Sequence, residues 1–258
     1  MSRSVGIVVP AYQPDVSRLS SYITAIDEQL SPETLRVEID APSSGTLEAV
    51  AELPAVIGSA PERRGKGAAI TAGFETLETD VLAFVDADGS TPVDSMASVL
   101  APVINDKADL VAGSRRHPDA QITGRQTFLR CCLGRTFAWG AKRLVDPPLF
   151  DYQCGAKALT RRVWQAVRSY LHEPGFAWDV ELVATTTALD YHVTKVPIRW
   201  NDKPGSTVSP AGTAAALAKG VLVARHRAKH LRESSLHSAI AAGYADSPAL
   251  VESERERA

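Results

Sequence analysis

The stretch "LAFVDADGS", residues 82–90, runs from apolar residues straight into two carboxylates, Asp86 and Asp88, separated by Ala87. A short apolar run that ends in turn residues suits a strand buried on both faces, and such strands belong to parallel sheets. In open parallel sheets ligands bind beyond the carboxyl ends of the strands, where this acidic pair would stand. Two carboxylates one residue apart can hold a divalent cation and a sugar hydroxyl from a single turn, and their hard oxygens suit Mg2+ or Mn2+. Alone, the same residues also describe a solvated turn.

Around this stretch, "GIVVP" (6–10), "LRVEID" (35–40) and "ADLVAG" (108–113) read as further buried strands. The segments between them have helical spacing. Leu19, Ile23 and Ile26 share a face after Asp15, and Ala69, Ala72, Phe74 and Leu77 form a less regular stripe after Gly67. Thr91, Pro92 and Asp94 read as a helix start with a capping hydroxyl, a proline at the first helical position and an acid in the first turn. Strands alternating with helices predict an α/β chain with right-handed crossovers. Beyond residue 114 the chain turns basic and aromatic, then offers a last strand at 192–200 and a basic helix around 211–232. The expected organisation is one domain over residues 1–232 and a mobile tail over 233–258, rich in small and charged residues.

The 28 Lys and Arg against 30 Asp and Glu leave a net charge of −2, which gives no reason to expect nucleic acid as a partner. Cys131, Cys132 and Cys154 have no CxxC spacing and an odd count, so they suggest neither a disulfide framework nor a zinc site. Cys154 reads as a packed thiol. The opening "MSRSVGIVVPAY" has too short an apolar run for a signal-peptide core, and no stretch reaches the roughly 18 apolar residues of a membrane span. The expected location is cytoplasmic.

Several motifs fall in order along the chain: "VVPAYQP", "EIDAPSSGT", "RRGKGAA", "LAFVDADGS", "AGSR" (112–115), "DYQCGAKAL" (151–159), "FAWDVEL" (176–182) and "VPIRWNDKPGSTV" (196–208). Over residues 4–210 the chain resembles a family-2 glycosyltransferase of the GT-A fold, in the dolichyl- and polyprenyl-phosphate glucosyltransferase and mannosyltransferase branch. The "QCG.K" form is closer to the glucosyl type. The resemblance implies a Rossmann-like, mostly parallel sheet flanked by helices, with amphipathic helices in the second half.

The resemblance also implies roles. Pro10, Tyr12 and Asp40 would line the pocket for base and ribose, with Lys66 and Ala87 beside the donor; a plain strand-end turn is the competing view of the first three. Asp88 would contact the metal directly, and Asp86 the ribose or a water of the metal shell. The mannosyl pattern commonly has a glutamine two residues past the second acid, where this chain has Ser90. Arg115 and Arg130 match arginines that hold phosphate oxygens, a task suited to a bidentate fork. Arg116, Arg125 and Arg135 are alternatives, and a solvated basic face is another. Asp179 and Glu181 would lie near the acceptor, while Trp178 reads equally as core. Lys203, Ser206 and Thr207 would form a loop closing over the diphosphate, or a plain hairpin connection.

The implied activity is inverting transfer of a hexose, glucose from UDP-glucose first and mannose from GDP-mannose as the alternative, onto dolichyl or polyprenyl phosphate. A phosphate acceptor has a second pKa of about 6 and arrives ionised, so no general base is needed. Basic and apolar residues over 125–145 and 219–232 would hold the protein at the cytoplasmic membrane surface, unless a membrane partner protein anchors it. Rival readings are a GT-A enzyme with a soluble acceptor such as phosphoglycerate, and a non-catalytic module that binds nucleotide sugars.

Overall fold

The computed structural model describes residues 3–123, 151–201, 210–231 and 248–255. Seven strands form the main sheet: β1 (Val5–Tyr12), β2 (Thr34–Asp40), β3 (Val56–Ala60), β4 (Val81–Val85), β5 (Leu110–Ser114), β7 (Ala156–Thr160) and β8 (Val193–Pro197), in the order β3-β2-β1-β4-β7-β5-β8. The pairs β1–β2, β2–β3, β1–β4 and β5–β8 are parallel, and β7 runs antiparallel between β4 and β5. All five residues of β4 are buried, as the run before Asp86 requires.

Helices cover both faces: α1 (Val16–Leu30), α2 (Thr46–Val50), α3 (Lys66–Thr76), α4 (Val93–Ile104), α5 (Arg161–Val167), α6 (Trp178–Ala188) and α7 (Pro210–Leu231). Alternation along β1 divides the core, sending Ile7 and Val9 to the side of α1 and α4, and Val8 to the side of α3 and α6. On the second side Phe74 meets Trp164 edge-on at 5.0 Å, and Phe84 meets Trp178 at 5.6 Å. Trp178 is fully buried and donates to Thr71 Oγ1, so it is core.

Four expectations change. The stretch 192–200 is two strands: β8 joins the main sheet, while β9 (Arg199–Asn201) pairs with β6 (Gln121–Thr123) in a separate two-stranded sheet. Pro197 is the last residue in register with β5, its nitrogen facing the open edge where no N–H is needed; the Ile198 N–H closes the ladder on Ser114 O at 3.3 Å, and buried Ile198 turns the chain. Thr91 does not cap α4 with its hydroxyl. Pro92 is the capping residue, and Thr91 instead accepts the Tyr22 hydroxyl at its carbonyl, at 2.5 Å. The stripe expected on α3 is broader than one face, since Gly67 to Thr71 are all buried. Finally, the expected mobile tail contains a docked helix, α8 (Leu250–Arg255). Ala249, Leu250 and Val251 enter the core, and the Leu250 N–H bonds to Leu171 O at 2.8 Å.

Candidate active site

A cavity of about 680 Å³ opens at the carboxyl ends of β1, β2 and β4. Pro10, Tyr12, Asp40, Lys66, Asp86, Ala87 and Asp88 all line it, together with Gln13, Arg18, Arg63 and Phe176. Its size is within the range of small-molecule and cofactor sites. Lys203, Ser206 and Arg130, like Arg125 and Arg135, lie outside the described residues.

At the β1–β2 end, the Arg63 guanidinium lies 4.1 Å over the Tyr12 ring, so one face of that ring already has a cation on it. Asp40 is buried; one oxygen accepts from Arg64 Nε and the other from the Gly65 N–H, at 2.8 and 2.9 Å. Arg64 also reaches Glu38, which Arg36 pairs from the other side, so a buried ionic cluster fixes this wall.

At the β4 end, Lys66 Nζ stands 3.0 Å from both Asp86 Oδ1 and Asp179 Oδ2. Burial alone would lower the Lys66 pKa, but Asp179 and then Asp86 outweigh it and hold the ammonium charged. The two glycines of "GKG" meet protein as well as cavity. A Cβ on Gly65 would stand 2.5 Å from Pro174 O, and one on Gly67 2.5 Å from Trp178 Cβ, so both allow the start of α3 to press against residues 173–178. Gly65 also has φ +104°, which favours glycine.

Asp88 accepts from the Ser90 N–H at 2.8 Å. Partial removal from water, and then the charge of Asp86, raise its pKa above the ordinary carboxylate value. Two hard-oxygen donors that repel one another fit a divalent cation, which would relieve that repulsion. Among the described residues no cluster of three or more His, Cys, Asp or Glu side chains forms a metal site.

Three residues expected to face substrate have other partners. Asp179 is buried with both oxygens engaged, one by Lys66 and one by Lys157 at 2.5 Å, so it braces the site from beneath. Burial would raise its pKa, yet Lys157 and Lys66 hold it below the usual range. Arg115 grips Asp151 through Nε and Nη2 at 2.6 and 2.9 Å and lies 5.5 Å from the Trp200 ring. Glu181, also expected near the acceptor, accepts from the backbone of His172 and Glu173 and from Arg227 on α7. Cys154 is a packed thiol, its pKa pushed up to about 12 by burial and by Asp151.

Sequence reasoning passed over Lys157, Asp151, Arg63, Arg64 and the role of Gly155. The signal for Lys157 was present, because a lysine inside "GAKAL" stands in an otherwise apolar run and a buried charge needs partners. A Cβ on Gly155 would lie 1.7 Å from Asp86 Oδ2, so the glycine of "QCG" makes room for the acid.

In this chain a mostly parallel sheet carries an acidic pair at its rim, and the model of glycosyl transferase family 2 matches residues 7–166. The chain belongs to that family. Among curated relatives, a dolichyl-phosphate beta-glucosyltransferase from Dictyostelium discoideum is 26% identical over 242 residues, covering 86% of this chain and 74% of that protein. The enzyme of the same name from Drosophila melanogaster is 29% identical over 232 residues, covering 81% and 70%. Among solved structures, glucosyl-3-phosphoglycerate synthase from Mycobacterium tuberculosis, in complex with Mn2+, UDP-glucose and phosphoglyceric acid, aligns with TM-score 0.68 at 15% identity over 86% of this chain and 80% of that one. That likeness bears out the GT-A fold.

Proposed function

We propose that the protein is an inverting hexosyltransferase that carries glucose from UDP-glucose to the phosphate of a dolichyl or polyprenyl lipid. The observation that carries this reading is the Asp86–Asp88 pair on the rim of a cavity of about 680 Å³, in a chain whose curated relatives bear the corresponding name. The base and ribose would lie against Pro10, Tyr12 and Asp40, and the diphosphate near Lys66 and Asp88. Mg2+ or Mn2+, held by Asp86 and Asp88, would neutralise charge building on the departing diphosphate.

The rest of the work is positioning. An acceptor phosphate is already ionised near neutrality, so no side chain has to remove a proton. Its oxygen needs alignment with the sugar C1 and exclusion of water. Arg115 would present its remaining Nη1 hydrogens to the acceptor phosphate while Asp151 holds the fork still, and Arg130 would complete that contact. Displacement in one step inverts the anomeric centre, turning an α-linked donor into a β-linked product.

No helix among the described residues is long and apolar enough to cross a membrane. The lipid acceptor would therefore be met by attachment to the cytoplasmic face of the bilayer, through basic helix α7 and the 125–145 segment, or through a membrane partner protein. On α7, Lys219 and Leu222 are exposed, a pairing suited to a headgroup layer.

The test is transfer of radiolabel. UDP-glucose and GDP-mannose are each offered with a polyprenyl phosphate and Mg2+ or Mn2+, and label is followed into organic solvent. Extraction of glucose label supports the proposal. Label that moves only to phosphoglycerate, or from neither donor, overturns it.

A further inference from the structure

Lys157 has no solvent exposure, lies beneath the proposed site and takes no part in the chemistry described so far. Its Nζ donates to Tyr152 O and Cys154 O, both at 2.9 Å, and to Asp179 Oδ1 at 2.5 Å, which uses every hydrogen of the ammonium. Stability alone gives little reason for such a group, because well-packed apolar residues often replace a buried ion pair at no cost. Where its contacts lead is more informative.

One path runs from Lys157 through Asp179 to Lys66, and from Lys66 to Asp86 Oδ1. The other runs through the carbonyls of residues 152 and 154 to Gly155, whose own carbonyl accepts the Asp86 N–H at 2.9 Å and whose Cα faces Asp86 Oδ2. The two paths converge on one carboxylate, an ammonium 3.0 Å from Oδ1 and a glycine pressed against Oδ2. Together they give the Asp86 carboxylate a contact at each oxygen, while the side chain stays 41% exposed toward the cavity.

We infer that Lys157 is a positioning residue, which sets the orientation of Asp86 for a divalent cation by fixing Asp179 with Lys66 on one side and Gly155 on the other. The inference rests on the proposed metal-assisted transfer. Outer partners of this kind commonly account for about 10- to 100-fold in metal affinity.

The test is Mn2+ binding in the presence of UDP, followed by titration calorimetry on the full chain, with thermal unfolding measured alongside. Lys157→Met alone leaves buried Asp179 with Lys66 as its one remaining lysine partner and risks misfolding, so the decisive protein is the charge-balanced pair Lys157→Met with Asp179→Asn. The expected result is an unfolding midpoint close to that of the parent protein with Mn2+ bound about tenfold more weakly or worse. Parent-like Mn2+ affinity in the double variant overturns the inference and leaves the proposed function standing. If the parent protein itself binds no Mn2+ with UDP, the proposed function and this inference fall together.

Discussion

The Cα of Gly155 lies so close to Asp86 that a Cβ added there would stand 1.7 Å from Oδ2. A methyl group at 155 must therefore displace the carboxylate or push β7 away from β4, whose pairing includes Val85 with Ala156. Gly155→Ala is expected to lower kcat/KM about 100-fold or more, the scale associated with misplacing a reacting or binding group by about 1 Å. Steady-state kinetics beside circular dichroism checks this, and unchanged kinetics would show that Asp86 needs no such seat.

Asp151 and Arg115 give a prediction in pH. Burial would raise the Asp151 pKa, but the Arg115 guanidinium outweighs it and holds the carboxyl below the ordinary value. A depressed carboxyl contributes stability above its unfolded pKa of about 3.9 and loses it as pH falls through the folded value. The thermal midpoint should drop as pH falls below about 4, and should drop less steeply in Asp151→Asn. At pH 7 the same variant should be less stable by about 3 kcal/mol, since it leaves Arg115 unpaired. Thermal melts from neutral to acid pH check the first expectation, and denaturant melts at pH 7 check the second.

Cys154 should resist alkylation. With its pKa pushed up to about 12 and no solvent exposure, almost no thiolate forms at pH 8. Peptide mapping after iodoacetamide treatment should find residue 154 unmodified in the folded protein and modified once urea is added.

The Arg227–Glu181 contact at 2.5 Å ties α7 to the start of α6. Glu181 is buried, so Arg227→Met should cost about 3 kcal/mol by removing the cation paired with its carboxylate and leaving the backbone N–H groups of His172 and Glu173, whereas Glu181→Gln with Arg227→Met should recover most of that loss. Urea titration of both proteins provides the comparison. A surface-only arginine would show no such difference.

The legible parts of the molecule were those governed by local pattern. Val81–Val85 and the helix after Asp15 follow from apolar runs and spacing, and the acids after β4 follow from the strand that ends at them. β3 was missed because "VIGSA" is a half-exposed edge strand with a glycine inside it. β7 was missed because it is short and antiparallel, held by neighbours distant in sequence. The partners of Asp179, Arg115 and Arg227 were not legible for a related reason. Each sequence motif shows a charge, but whether that charge meets a phosphate, a lipid or a buried counter-ion depends on residues 22 to 113 positions away. β8 gives way to β9 at Ile198, whose N–H bonds to Ser114 O and whose carbonyl accepts from the Gln121 N–H, a change of partner strand that a continuous run of residues 192–200 does not display.

β7 has a further consequence for how the molecule assembles. β4 and β5 come earlier in the chain, yet they do not touch in the sheet and are bridged by the later β7. A nascent chain that has emerged only through Thr123 therefore carries two unfilled hydrogen-bonding edges in the middle of its future sheet, a template for pairing with other chains. Closure waits until Ala156–Thr160 arrives from the opposite direction, which makes this short strand the keystone of the fold as well as the mount of its buried lysine.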